Sequence, residues 1–301
     1  MRTAFIQQLI EEARKNEKIF LLTGDLGFSV LEPFIKEFPN RYINVGVAEQ
    51  NMTGVAAGLA MDGWTVFTYS IANFPTLRCI EQIRYDVCYH NLNVKIVSVG
   101  AGYSYASLGA SHHATEDIGM MRTIPNIVVS SPGDPIEARM ATSKISAHVG
   151  PCYLRLGKAG EALVHNEENQ LIVEGLKIGQ GVEVFNGSNV AVLACGSILK
   201  YASDYIKENK LDYGLFSFPF VKPIDKDLLI RIAKKYTKII TIEEHQKSGG
   251  FGSVILEAYN DLLEESKIET FPVVKRIAIQ DAFNSVAGSQ DFLRAISGLK
   301  F

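Results

Sequence analysis

Cysteine is scarce: Cys79, Cys88, Cys152 and Cys195 are the four in 301 residues, with no C-x-x-C spacing and no histidines placed to complete a zinc site. They read as reduced, mostly buried thiols. Long apolar runs are absent too; none approaches the roughly 18 residues of a membrane span. The opening MRTAFIQQLIEEARKNEK sets Ala4, Phe5, Leu9, Ile10 and Ala13 on one helical face but interrupts them with charge, so it is no secretory signal. Neither charge sign dominates: 30 basic against 33 acidic side chains leave −3, too little to hold a phosphodiester backbone. Nucleic acid and membrane are excluded as expected partners, and a cytoplasmic location is expected. No repeat of about 20–50 residues is present, which excludes solenoids and propellers.

What is present is 47% apolar and 21% charged residues, the composition of a chain that packs a core. At about 100–200 residues per domain the length favours two domains. Short β-branched runs alternate with helical patterns, as in βα units around mainly parallel sheets. Strands are expected at Ile19–Thr23, Tyr42–Val45, Thr65–Tyr69, Val94–Val99, Ile127–Ser130 and Cys152–Arg155. Helices are expected at Leu31–Phe38, Gln50–Met61, Thr76–Asn91, Thr115–Arg122 and Pro135–Ala147. A polar stretch, Gly160–Asn169, ends this unit. A second series follows, with strands near Val190–Ala194, Tyr213–Ser217, Lys238–Glu243 and Val273–Ala278, and helices near Ile198–Lys207, Lys226–Lys235 and Gly252–Leu263. The expected fold is α/β: two sandwich domains with mainly parallel sheets, residues 1–170 and 185–301.

Three segments carry candidate chemistry. In INVGVAEQNMTGVAAGLA a strand turns at Gly46 and puts Glu49 at the mouth of a helix whose Gly54, Ala57 and Gly58 leave one face nearly bare. By itself Glu49 is equally a first-turn acid favoured by the helix dipole. In FTYSIANFPTLRCIEQIR, Phe67, Tyr69 and Phe74 cluster around Ser70 and Asn73, ahead of Arg78 and Arg84. An aromatic face beside a helix-mouth acid suits a protonatable aminopyrimidine, which needs a stacking surface and an acid for its nitrogen. Phe67 and Tyr69 alternate on a strand and are equally plain core; Phe74, off the strand, is the better platform. In VGAGYSYASLGASHHATEDIG the adjacent His112 and His113 point apart, so one is expected to face an active site and the other to pack or cap.

With TGDLGFS, INVGVAEQNMTGVAAGLA, LGASHHATED and TIEEHQKSGGFGS in order, nearly the whole chain resembles the C-terminal section of a transketolase split over two polypeptides: a pyrimidine-binding domain followed by a C-terminal domain. The resemblance implies thiamine diphosphate as cofactor. It assigns Glu49 to the aminopyrimidine nitrogen, where it promotes the imino tautomer, and Phe74 to stacking on that ring. Asp25 aligns with the acid near the thiazolium, and Ile71 and Arg78 complete the cofactor surroundings. His112 aligns with the histidine that handles substrate hydroxyl protons, and Ser29 and Arg155 with groups that hold a sugar phosphate, a task the arginine fork suits.

Departures from the family pattern bear on the sugar. The loop Gly100-Ala-Gly-Tyr103-Ser-Tyr105-Ala-Ser-Leu108 carries Leu108 near the place of an acid that reads the donor's hydroxyl, Tyr103 and Tyr105 are expected to reshape the pocket, and Ile71 and Leu77 stand where rings are often found. An unusual sugar is consistent with these changes. GDG followed about 25–30 residues later by Asn, which carries Mg2+ and through it the diphosphate, has no counterpart: TGDLG at Thr23–Gly27 lacks the Asn. The metal is therefore assigned to an N-terminal partner subunit in a two-plus-two heterotetramer, a homodimer of this chain being an option when alone, with sugar or sugar phosphate as substrate. Glu243, Glu244, His245 and the turn Gly249-Gly250-Phe251-Gly252 are read as structural, with His245 at a substrate mouth as the alternative. Other readings of the whole are a 2-oxoacid dehydrogenase beta chain and a catalytically silent partner subunit.

Overall fold

The computed structural model describes residues 1–301, the side chain of Glu168 excepted. The first unit opens with α1 (Arg2–Lys15), β1 (Ile19–Thr23), α2 (Glu32–Glu37), β2 (Tyr42–Asn44), α3 (Glu49–Met61) and β3 (Thr65–Ile71). It continues with a single turn α4 (Ile80–Gln82), β4 (Val94–Val99), α5 (Asp117–Thr123), β5 (Val128–Ser130), α6 (Pro135–Ala147) and β6 (Cys152–Leu156). α7 (Glu167–Gly175) leads into β7 (Val182–Phe185), β8 (Val190–Cys195), α8 (Ile198–Glu208), β9 (Tyr213–Ser217) and β10 (Phe220–Lys222). The chain closes with α9 (Lys226–Lys235), β11 (Lys238–Gln246), α10 (Phe251–Glu264), β12 (Val273–Ile279) and α11 (Gln290–Ile296).

Two sheets result, ordered β10-β5-β6-β4-β3-β1-β2 and β12-β11-β8-β9-β7. Every pairing is parallel except β10 on β5 and β7 on β9, both at sheet edges. The period of two sorts each central strand between two layers. In β1, Phe20 and Leu22 pack with Met52 and Ala56 of α3, while Ile19 and Leu21 pack with Phe5 and Leu9 of α1 and Ala141 of α6. In the second sheet, Leu193 and Ile239 meet α9 and α10, whereas Val192 and Ile242 meet α8. The core on the α3 side runs on without a break into the α9 and α10 side of the second unit, which locks the two units together.

The structure departs from expectation in four places. β10, from the second half of the sequence, joins the first sheet, so the two units interleave. β7 and β10 span only four and three residues, too short to show a period. α7 and α11 (QDFLRAI) are helices that the sequence pattern does not announce, because each buries a narrow stripe: Val173 in one, Leu293 in the other. The predicted helix Thr76–Asn91 is broken into a 3-10 turn (Leu77–Cys79), α4 and a π-helical run (Ile83–Tyr89). Thr76 Oγ1 donates to the Ala72 carbonyl and the Arg78 N–H to that of Asn73, so the chain folds back at Pro75 before any regular helix starts.

Candidate active site

β1 to β4 run parallel and side by side, so the loops that follow them gather at one sheet edge, the carboxyl edge where open α/β sheets bind ligands. Those loops carry Asp25 and Ser29 after β1, Glu49 after β2, Phe74 and Arg78 after β3, and His112 after β4. Position in the sheet alone therefore brings most of the predicted residues together.

Glu49 opens α3 with its side chain 1% exposed. Both carboxylate oxygens accept hydrogen bonds: Oε1 from Ser70 Oγ at 3.2 Å and Oε2 from Arg78 Nη1 at 2.7 Å. Ser70 can reach it because even-numbered β3 residues face α3, whereas Phe67 and Tyr69 point the other way. Those two rings are fully buried against Phe5, with centroids 6.2 and 5.8 Å away. They are core, and the clustering of Phe67 and Tyr69 with Ser70 is corrected accordingly. Phe74 is half-buried beside Glu49's partner: the Arg78 guanidinium carbon lies 4.7 Å over its ring centroid. The His112 ring meets Phe74 edge-on, with centroids 5.4 Å apart, and its Nδ1 is 3.0 Å from Ser111 Oγ. His113 turns inward at 5% exposure onto the Tyr103 ring and is the one of the two that packs, and burial lowers its pKa.

Asp25 and Ser29 stand exposed on the first loop, both in the left-handed region at φ 58° and 64°. Asn44, at the end of β2, holds Asp25 there: its Oδ1 accepts the Asp25 N–H and its Nδ2 donates to Asp25 Oδ1, both at 3.0 Å. Asn44 is a residue of this loop cluster that sequence reasoning misses, and Asn73, singled out beside Phe74 in the sequence, has a role there that the sequence does not show. Asn73 Nδ2 donates to the Ser111 carbonyl at 3.2 Å and the His113 carbonyl at 2.7 Å, fastening the histidine loop to the Phe74 loop. Neither role carries a local signal, since each depends on which strands pair. Ile71 is half-buried at the end of β3.

Two expectations and one alternative are corrected. Arg155 does not stand ready for a phosphate: at 2% exposure, its Nε is 2.7 Å from Asp117 Oδ2 and its Nη2 donates to the carbonyls of Ala114 and Glu244. It is a strut between the units. Tyr153 joins it through a hydroxyl bond to Asp117 Oδ2. Burial pushes the Asp117 pKa up, but the Arg155 charge, then His245 and the hydrogen bonds from Arg155 and Tyr153, bring it below the usual value. His245 is 1% exposed and accepts the Gly119 N–H at 3.1 Å, so it lies inside the junction and at no substrate mouth. Tyr103 is 1% exposed, bonded to Ser297 and Asn284, and Tyr105 lies over Gly100, where φ is +97° and a Cβ would run into the Tyr105 ring. Leu108, by contrast, is exposed.

The turn Gly249–Gly252 is structural. Its helix start is filled from within: Glu243 accepts the N–H of Phe251 at 2.5 Å and of Gly252 at 2.7 Å. No group of three or more His, Cys, Asp or Glu placed to hold a metal occurs among the described residues.

Comparison with known families decides the identity. Residues 1–160 match the pyrimidine-binding domain of transketolase and residues 179–290 its C-terminal domain. The chain belongs to the transketolase family. A Methanocaldococcus jannaschii protein provisionally named as a transketolase C-terminal section is 35% identical over 300 residues, covering 98% of this chain and 90% of that protein. An apulose-4-phosphate transketolase subunit of Actinobacillus succinogenes is 34% identical over 272 residues, covering 89% and 84%. Among solved structures, a split-gene transketolase described as an inactive β4 tetramer superposes with a TM-score of 0.82 at 32% identity, covering 99% of this chain and 93% of that one. This transketolase chain thus resembles proteins that supply the pyrimidine-binding and C-terminal domains as a separate polypeptide.

Proposed function

We propose that the chain is the C-terminal subunit of a split transketolase and that, joined to an N-terminal diphosphate-binding subunit, it carries a two-carbon ketol unit from a ketose to an aldose. The observation that carries this reading is the convergence of Glu49, Phe74, Arg78 and His112 from three loops at one sheet edge: a buried acid, a ring face within one guanidinium's breadth of it, and a titratable imidazole against that ring. The chemistry of this set fits the aminopyrimidine half of thiamine diphosphate, the cofactor of this family. When bound, that cofactor supplies the carbon nucleophile and electron sink of ketol transfer.

Each side chain then has a defined task. Glu49 shares a proton with a ring nitrogen, Ser70 fixing its other oxygen so that the carboxyl group keeps one orientation. Phe74 covers one ring face. His112, with Ser111 on its Nδ1, moves protons to and from substrate hydroxyls. Asp25, oriented by Asn44, and Ser29 face outward from the same edge and contact the thiazolium side and the sugar once the partner closes the site.

The partner reading has its own support. Along α3 the exposed positions are Gln50, Asn51, Gly54, Gly58 and Met61, a single stripe, and a Cβ at Gly54 or Gly58 would meet nothing within 4 Å. Phe28, Val47, Leu77 and Leu108, from the loops after β1 to β4, are exposed on the same sheet edge. A backbone from another chain can approach closely there. Mg2+ and the diphosphate are assigned to that partner's GDG and Asn residues, in a two-plus-two assembly.

Mixing the chain with its diphosphate-binding partner and assaying ketol transfer tests the proposal. Turnover is expected only from the mixture and only with thiamine diphosphate and Mg2+; ketol transfer by the chain alone, or by the mixture without the cofactor, overturns it.

A further inference from the structure

Arg78 does to Glu49 and Phe74 what an aminopyrimidine ring would do. Its guanidinium is planar, lies 4.7 Å over the Phe74 centroid, and donates an N–H to Glu49 Oε2 at 2.7 Å. Stacking on a ring face while donating a hydrogen bond to the helix-mouth acid is the pair of contacts that the reading above gives to the cofactor. The guanidinium and a ring cannot both fill that place.

Two further observations make the contact a removable one. Arg78 is 44% exposed although its partner Glu49 is 1% exposed, so the cation reaches in from the rim over a buried acid. It sits in the 3-10 turn Leu77–Cys79, ahead of the broken helix, with Leu77 beside it also exposed, and solvent rather than core surrounds its outer side. The arginine's own charge is hydrated again when it swings to water, and the cost of unpairing the buried Glu49 is offset when the ring's hydrogen bond takes the place of the guanidinium's.

The chemistry of Glu49 points the same way. With Arg78 in place both of its oxygens act as acceptors, to Arg78 and to Ser70. A ring lying on Phe74 would meet Glu49 through Oε2, the oxygen that Arg78 holds from the same side. The guanidinium and a ring nitrogen therefore compete for one side of one carboxyl group.

We propose that Arg78 is a stand-in for the aminopyrimidine in the empty subunit: a positioning residue that fills the Phe74–Glu49 slot, keeps the buried acid paired, and is displaced when the ring enters. The inference rests on the thiamine diphosphate reading and adds a competition to it. Because the slot is open only in the fraction of molecules whose Arg78 has swung out, the apparent affinity for the cofactor is lowered by that fraction.

The test is calorimetric titration of thiamine diphosphate, with Mg2+, into the complex of this chain and its partner, for wild type, Arg78→Met and Arg78→Lys. Methionine keeps the length and removes both the charge and the planar stack; lysine keeps the charge alone. Arg78→Met is expected to tighten binding by about 5- to 30-fold, the worth of the two contacts undone, with Arg78→Lys between it and wild type. Stopped-flow binding supplies a second readout: because a half-exposed side chain swings out far faster than the cofactor binds, the observed rate rises linearly in both proteins, with a lower apparent association rate in wild type, where only the fraction of molecules with Arg78 out can bind, and a higher one in Arg78→Met. Unchanged or weaker binding in Arg78→Met shows that Arg78 stays as a cofactor contact and overturns the inference while the cofactor reading stands. No binding by any of the three complexes overturns both.

Discussion

The residue that matters most is Glu49, and its surroundings separate its chemical role from a structural one. Glutamine in its place keeps the volume and accepts the Ser70 hydrogen bond but has no proton to share. Glu49→Gln is expected to leave the thermal unfolding curve of the chain nearly unchanged and to lower ketol transfer by the complex by about 10²-fold or more, the usual worth of a positioned acid. Retained turnover would remove Glu49 from the mechanism. The opposite balance holds at Asp117, which no substrate reaches. Asp117→Asn strands the buried Arg155 charge and is expected to cost about 3–5 kcal/mol in urea unfolding. The Asp117 pKa is depressed in the folded chain, so the pair's contribution is present above the ordinary value near 3.8 and is lost as pH falls through the lower folded value. An Asn variant as stable as wild type at neutral pH would show the pair to be dispensable. The helix-mouth position of Glu49 and the off-strand position of Phe74 are legible from residue type and spacing, while the roles proposed for them and for His112 come from the family resemblance. Arg155 is not legible, because an arginine at the end of a strand looks the same in sequence whether it faces a ligand or a buried aspartate.

At the scale of elements, the segment before α7 depends on one buried pair. His165 Nε2 lies 2.7 Å from Glu137 Oε1, both side chains are 0% exposed, and the pair ties the link between the units to α6. Burial works against a charged imidazole, but the Glu137 hydrogen bond and charge, with Asp134, outweigh it and raise the His165 pKa. A raised folded pKa gives stability that is complete below the ordinary value near 6.5 and is lost as pH rises through the folded value. The stability advantage of wild type over His165→Gln in urea melts is therefore expected to be greatest below about pH 6.5 and to shrink at higher pH; an advantage independent of pH would contradict this.

α3 makes a prediction with two opposed signs. Gly58→Leu replaces a helix-interior glycine whose Cβ meets nothing, so the isolated chain is expected to gain about 0.5–1 kcal/mol from helix propensity. The same side chain projects from the bare face and is expected to abolish association with the partner in analytical ultracentrifugation. Normal association would place the partner elsewhere. Most strands and helices are legible from period and β-branching, and α6 and α9 fall on their expected limits. The broken helix after Pro75 is not, because its apolar spacing reads as one helix while hydrogen bonds from Thr76 and Arg78 to the preceding carbonyls decide otherwise.

At the scale of the molecule, the two α/β sandwiches expected from the pattern are found, but a linear cut between them is too simple. β10 crosses back into the first sheet, and the core on the α3 side continues under the second unit, with Arg155 and His245 at the seam. Such tertiary exchange leaves no local mark in a three-residue strand. The second unit thus braces the β4 to α5 loop that carries His112: the Gln246 N–H donates to the Thr115 carbonyl at 2.7 Å and Arg122 pairs with Glu257 at 2.6 Å.

The most direct test is an experimental structure of this chain in complex with its diphosphate-binding partner and thiamine diphosphate. The expected result is the Glu49 carboxyl group within about 2.6–3.0 Å of a pyrimidine nitrogen, at a pocket walled by both polypeptides with the ring against Phe74. A ring seated away from Glu49, or a cofactor enclosed by one polypeptide alone, would contradict it.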